Sequence, residues 1–543
     1  MPRRVDKLFS WTAGYIPTQA KTSGIPGSII DGLNVWIWGA GLIESAKGWG
    51  SNGSSGGANP LMNVGNTHGG CTGGGTVVDA FGTTWVEGLG TALKGGASLG
   101  SASSALQLLR SGSLVPAGLA QPSAPTLTDS GVAGKNDGSY SVAITAIDQI
   151  TGQESTRSLP SNVQLVTLKK IHIAFPATVA SNQTHWGVYC SFKNFGATGP
   201  WFHLTDVPIS PTSVNLDWYN GELGDLAPID YFPPPTGTHC FALNNVMNSA
   251  GCYGGSGIGP SIPGKPGAYP PDFTVFIPGG GSITSCKATG FAGSVVISTA
   301  SSVTSVVATN SPITPITVRQ IWPTTGFLSG SAWCVIEDEI YGFSGQRGAV
   351  RTQGDGPPDT SFAHSMHAFF AANGFTASNT TVGYDPKTDS VVFASGTRAA
   401  CYYRAGGYWH TPQSISGAVT GATVGGTLLL DVGGGTLNSP ELGSGTTGFA
   451  TFSFEGAGSP EWNHTIVRAR ASANGTSQLD ILTDLDLSTS ASGALSLGAG
   501  HSQWFHLRIA NAKTFSAKWS FTSVAGASLY ETLLQVIPHR VTR

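Results

Sequence analysis

The chain has 543 residues, of which only 10% are charged, with 76 glycines and a formal net charge of −3. Ordinary soluble proteins carry roughly 25% charged residues and about 7% glycine, so long Glu/Lys/Leu-faced helices are excluded. The charge balance argues against a surface built to grip nucleic acid, because each neutralised phosphate calls for a Lys or Arg; a conduit through which DNA slides is served by neutral or acidic walls.

The opening residues predict an extended arm and then a hairpin. Gly14 and Pro17 forbid a helix over residues 12–19, and strands at 33–38 and 42–45 are joined by a Gly39-Ala40-Gly41 turn. The start, Met-Pro-Arg-Arg-Val-Asp-Lys, leads into no apolar run of signal-peptide length, and no run approaches the ~20 apolar residues of a membrane helix. The expectation is folding in a reducing cytoplasm. Seven cysteines (Cys71, Cys190, Cys240, Cys252, Cys286, Cys334, Cys401) are odd in number, scattered and free of any CxxC, so all seven are expected as thiols and a zinc ribbon is excluded.

Residues 51–79, rich in Gly, Ser and Asn, read as a long loop, and alternation resumes over 80–118. The nearest approach to an amphipathic helix is Ser101 to Arg110, three turns at most. Proline-rich linkers at 120–125 and 233–235 bracket a strictly alternating stretch, 138–146, and further strand patterns at 171–175 and 184–189. This block, 121–233, resembles a fibronectin type III or Ig-like sandwich and is expected as a separate module on the outside of an assembly.

From Thr236 onward short strands alternate with Gly and Pro. The sharpest unit is 381–409: a strand, an Asp385-Pro386-Lys387-Thr388 turn, two more strands, and Gly406-Gly407 leading into Tyr408-Trp409. That is the rhythm of a propeller blade, about five of which occur outside the sandwich. The last 130 residues or so read as a closing blade and an accessory β region, with separate short strands at 466–471, 479–482 and 504–509.

Candidate chemistry is thin. Gly259-Pro-Ser-Ile-Pro-Gly264-Lys265 matches a phosphate loop except that Pro266 replaces Ser or Thr, and without a preceding strand and following helix it reads as a surface loop. Gly255-Ser-Gly257-Ile-Gly259 has no helix after it to bind a dinucleotide. Glu337-Asp338-Glu339 reads as a hairpin turn of solvated acids, and Asp355 and Asp359 also fit a turn. Asp480, Asp484 and Asp486 lack the glycine and final acid of a calcium loop, and His364 and His367 are not spaced i, i+4. The expectation is no enzyme, no cofactor and no metal.

One resemblance gives these elements a context. Gly14, Gln19, Asn34, Trp36, Gly41, Leu42, Lys47 and Gly48 resemble the opening of the tail nozzle, or tail tubular, proteins of short-tailed bacteriophages. There an extended Gly/Gln/Pro segment precedes an Asn, aromatic, Gly-Leu, basic, Gly hairpin that begins a β-propeller. The resemblance implies an all-β chain: arm and first hairpin (1–50), Gly-rich loop and first propeller strands (51–120), inserted sandwich (121–233), propeller blades (236–412) and closing blade with accessory region (413–543). It implies a virion protein, assembled in the host cytoplasm as a homo-oligomeric ring, six copies by family analogy. Its partners would be portal-side adaptor proteins, tail fibres or needle, and genomic DNA passing through without sequence-specific binding. Arg3, Arg4, Lys7, Arg540 and Arg543 are the expected subunit contacts. The rival readings are a tail fibre or receptor-binding protein that recognises a host glycan, and a polysaccharide-degrading enzyme.

Overall fold

The computed structural model describes residues 5–9, 14–16, 28–38, 42–46, 49–54, 76–78, 84–88, 91–94, 97–102, 105–110, 113–244, 246–288, 294–353, 356–417, 420–424, 427–431, 436–440, 446–452, 462–484, 489–497, 502–524 and 527–540. Within them the protein is all-β, and the α-helix His367–Ala372 is only six residues long. No helix among the described residues is long and apolar enough to cross a membrane. The chain forms two compact units, 66–326 and 1–65 with 327–543.

The 66–326 unit opens with a six-stranded antiparallel sheet running from Thr76–Val78 to Ser113–Pro116. The stretch that came nearest to a helix is here two strands, Ala97–Ala102 and Ala105–Arg110, with Ser101 opposite Leu106. Serine and glycine give that segment little helix propensity, so ladder pairing decides it.

Two facing sheets follow. One holds Thr126–Tyr140, Gln164–Ala174 and Ser213–Leu216; the other holds Gln153–Glu154, Val142–Asp148, His185–Ser191 and Trp201–Pro208. Alternation places Tyr140, Val142, Ile144 and Ala146 in a core with Ile171, Ile173, Val188 and the buried Trp186 and Trp218. Entry and exit of this sandwich lie side by side, since a Cβ on Gly118 would meet Pro233 and Pro234 at under 3 Å.

The outer edge of Val142–Asp148 is closed in an unusual way. Ser155, Ser158 and Ser161 follow it at three-residue spacing, and their Oγ atoms accept the backbone N–H groups of Ala146, Ile144 and Val142 at 2.9, 3.0 and 3.0 Å. Their own N–H groups donate to the carbonyls of the same three residues. A three-residue repeat suits an extended polyproline-like chain, which Pro160 favours. Two four-stranded meanders complete the unit, one from His239–Leu243 to Val275–Phe276 and one from Ile283–Ala288 to Ile316–Trp322, joined by a core that includes Phe241, Ile258, Ile297 and Val306.

In the other unit, the blade expected at 381–409 is present as Thr381–Asp385, Ser390–Ser395, Arg398–Tyr403 and Tyr408–Trp409, with the Asp385 carboxylate capping the first turn through Thr388 Oγ1 at 2.8 Å. Trp333–Ile336, Glu339–Ser344 and Gly348–Gln353 form another meander. A further one, Thr420–Val424, Thr427–Asp431 and Thr436–Pro440, takes its fourth strand from Trp49–Ser54. So the first residues of the expected 51–79 loop are a strand, fixed by a partner some 385 positions away rather than by their Gly/Ser composition.

The hairpin of Val35–Trp38 and Leu42–Ser45 does form, but it enters an eleven-stranded sheet instead of a blade. That sheet joins the two ends of the chain: Val5–Phe9 and Leu42–Ser45 pair with Ser528–Arg540, and Ser28–Leu33 pairs with Thr446–Phe452. Its spine is Trp462–Thr483, one 22-residue strand where shorter ones were expected. The first part of the spine pairs with Ser502–Ala512 and Ser528–Arg540, and the part after Gly475 pairs with Thr489–Leu497 and Phe515–Val524. Gly475 supplies a φ of 81° at the change of partner, which L side chains avoid.

Candidate functional site

Polar side chains come together at several places among the described residues, and the Asn34 hairpin carries the first. Asn34 sits at φ 56°, donates its N–H to the Pro412 carbonyl at 2.7 Å, and accepts the Ser414 N–H on Oδ1 at 2.7 Å. Next to it, the Val35 N–H donates to Thr411 Oγ1 at 2.8 Å and that hydroxyl donates back to the Val35 carbonyl at 2.9 Å. The Ile37 N–H donates to His410 Nδ1 at 2.9 Å. His410 is fully buried against Trp36, Trp38, Tyr403 and Tyr408, and burial pushes its pKa down to about 3. A neutral ring accepting on Nδ1 carries its proton on Nε2. These groups dock the hairpin.

The second constellation surrounds Arg404. Its guanidinium reaches Glu339 and Asp389 at 3.3 Å each and Glu337 at 3.7 Å. Tyr341 donates to Glu339 at 2.8 Å and Tyr384 to Asp389 at 2.9 Å; burial first, then the neighbouring carboxylate, raises both phenols. The expected turn exists at Glu337-Asp338, with Glu337 at φ 58°. The expected solvation of all three acids does not hold, because Glu339 is only 18% exposed and ion-paired. Replacing Arg404 by Met is expected to lower unfolding stability by about 2 kcal/mol, the loss of charge-assisted hydrogen bonds, read as a lower urea midpoint.

The third is a cleft of about 620 Å³ in the 66–326 unit, lined by Gln153, Glu154, Tyr189, His203, Asp206, Asp225, Tyr231 and Lys265 among others. Glu154 is placed by its short strand, opposite Ile147. Its Oε1 accepts from Thr145 Oγ1 at 2.7 Å and from the Tyr189 hydroxyl at 2.6 Å. Room for this exists because residue 187 is glycine: a Cβ there would collide with Thr145 Oγ1. Burial raises the Glu154 pKa, and those two hydrogen bonds oppose the rise. His203 and Asp206 face each other at 2.9 Å. The chain after the sandwich lies along the Trp201–Pro208 strand through the 2.7 Å bond from His203 N–H to the Asp225 carbonyl, which delivers Asp225. The bond from Thr156 N–H to the Tyr231 carbonyl, 2.8 Å, delivers Tyr231. Lys265, from a tight turn closed by its N–H to the Ile262 carbonyl at 2.9 Å, donates to the Tyr231 hydroxyl, and burial lowers its pKa against the pull of Glu154.

Lys265 thus corrects the reading of its segment. A strand, Gly257–Pro260, does precede it and the lysine is half-buried rather than on an open loop, although only a three-residue 3-10 turn, Pro271–Phe273, follows and no α-helix completes a phosphate site. Asp359 is more than a turn residue, since it pairs with Arg351 at 2.9 Å and caps the Ser361 N–H at 2.7 Å; Asp355 lies outside the described residues. Asp480 is buried and accepts from Gln478 at 2.6 Å, Asp484 accepts the Lys513 N–H at 2.7 Å, and Asp486 lies outside the described residues. His364 and His367 are exposed, and no group of three His, Cys, Asp or Glu among the described residues could hold a metal ion. No disulfide forms among Cys190, Cys252, Cys286, Cys334 and Cys401, and burial pushes the Cys252 thiol up to about 11. Of the expected subunit contacts, Lys7 stands opposite Leu534 and Arg540 opposite Trp462 in the sheet joining the chain ends, while Arg3, Arg4 and Arg543 lie outside the described residues.

No family model and no curated protein matches the chain. Among solved structures it is similar to a 6-phosphogluconolactonase-type protein of Bacteroides uniformis, at 11% identity and a TM-score of 0.24 over 54% of this chain and 89% of that one. It is also similar to PorZ, a surface component of the type-IX secretion system of Porphyromonas gingivalis, at 12% identity and 0.24, over 77% of this chain and 44% of that one. An exo-β-1,3-galactanase of Phanerochaete chrysosporium matches at 9% identity and 0.16, over 85% of this chain and 99% of that one. Likeness at this level carries no functional argument, so function rests on the chain's own residues.

Proposed function

We propose that this chain is a structural component of a bacteriophage tail, of the nozzle type, and not an enzyme. One observation supports the reading most. The hairpin motif that carries the resemblance has a specific task here: Asn34 makes the left-handed turn and holds Pro412 and Ser414, and Trp36 is buried beside Val392 and Leu428. Asparagine is among the few L residues that take a left-handed turn readily, so the motif's asparagine fits its place, although the hairpin joins the eleven-stranded sheet and not a blade. Low charge and short antiparallel meanders suit a stiff assembly part. Copies would form a ring that extends the DNA channel below the portal and adaptor and anchors fibres or needle. Negative-stain imaging of the purified full chain at high concentration tests this. The expected result is a ring, six-fold by family analogy, with a central bore that a higher-resolution reconstruction finds not ringed by most of the 27 Lys and Arg. Monomers, or slender trimers, would overturn it, trimers in favour of the fibre reading.

A further inference from the structure

The cleft of the 66–326 unit holds a feature that its own protein partners leave unexplained. Gln153 is 5% exposed and lines the cleft, yet neither its Nε2 nor its Oε1 has a hydrogen-bond partner among the described residues. It also lines an adjoining recess of about 130 Å³, walled by Thr151 to Glu154, Tyr231 and Gly264 to Ala268. A Cβ on Gly267 would lie 2.8 Å from Gln153 Cδ, so the wall is pared back where the carboxamide stands. Both amide atoms are closed to solvent as the side chain stands, and a ligand offering one donor and one acceptor would satisfy them once the carboxamide turns into the cleft.

The surrounding groups narrow the ligand's chemistry. Glu154, Asp206 and Asp225 set three carboxylates against the single ammonium of Lys265, so a phosphate or other anion would be repelled. The absence of any three-ligand cluster among the described residues argues against a bare divalent cation. What matches carboxylates, a carboxamide, the Tyr189 and Tyr231 side chains and the His203–Asp206 pair is a neutral molecule dense in hydroxyls that both donate and accept. Tyr231, Leu226 and Pro228 add apolar surface for the C–H faces of a ring, and the volume falls in the range of small-ligand sites.

We propose that this cleft is a binding site for a neutral saccharide, with Gln153 bridging two ring substituents and Asp206 and Asp225 accepting from hydroxyls at the mouth. The site stands whether or not the chain assembles as a ring. The test uses the full chain on an array of neutral hexose and N-acetylhexosamine oligosaccharides beside phosphorylated and sialylated ones, followed by calorimetric titration with the best neutral trisaccharide. Expected is selective binding of a neutral glycan, weakened at least tenfold by Gln153→Ala. Because Gln153 is buried, Asp206→Ala and Asp225→Ala, both at exposed positions, are tested beside it and are expected to weaken binding with an unchanged melting midpoint. Glu337→Ala, in the other unit, is expected to bind as the parent does. Binding of only anionic glycans, of no glycan, or of neutral glycan equally well by all three cleft variants would overturn the proposal.

Discussion

A chain beginning at residue 55 is expected to lose the fold of 327–543 while keeping that of the sandwich. The missing residues include the strand that completes the Thr420–Pro440 meander and those that pair with Thr446–Phe452 and Ser528–Arg540. They also remove Ile29, Ile30, Val35, Trp36, Ile37 and Ile43, none more than 9% exposed. At about 1.5–3 kcal/mol for each buried apolar side chain, the loss is roughly 9–18 kcal/mol, against a typical total stability of about 5–15. Hydrogen exchange separates local from global loss: protection should vanish over Ser528–Arg540 and persist over Val142–Asp148. Retained protection in both would show that the N-terminal strands are dispensable.

Acidification is expected to weaken the same body through His410. In the folded protein this imidazole stays neutral down to about pH 3, whereas in the unfolded chain it takes up a proton near its ordinary 6.5. Between those values the unfolded state binds more protons, so stability rises with pH across this window and falls as pH drops from about 6.5 toward 3. The slope is about 1.4 kcal/mol per pH unit from this residue alone. Substituting Phe for His410 should remove that part of the slope. It should also cost about 1–3 kcal/mol at neutral pH, because the Ile37 N–H loses its acceptor. Denaturant melts of both proteins from pH 7 to 4 measure the difference, and parallel curves would show that His410 is not the titrating group.

How much of this was legible depended on how far apart the partners lie in the chain. The 381–409 blade could be read because its turn residues and strands are contiguous, and the Tyr140–Ala146 alternation marked a sandwich strand. The Gly/Ser composition of Trp49–Ser54 points to a loop, because glycine and serine say little until a partner strand is known. The same limit hid the cleft. Glu154, Tyr189, Asp206, Asp225 and Lys265 come from five separated stretches with no shared motif, and the one segment that drew notice, Gly259 to Lys265, did so for a phosphate chemistry it does not have. Gln153 carried no signal at all, since an orphaned carboxamide is a property of packing. Arg404 likewise lies 65 positions from the Glu339 it neutralises.

The serine ladder on Val142–Asp148 bears on how the sandwich can meet a partner. Ser155, Ser158 and Ser161 saturate one side of its four-stranded sheet, and on the far side Gly224, Asp225 and Ala227 occupy the backbone groups of Trp201 and His203. Where its rims are so occupied, the sheet offers no template for β-augmentation, the mode in which an incoming chain adds itself as one more strand. Along these stretches many copies held at high local concentration would neither zip together nor swap strands, and a partner docking there does so through side chains.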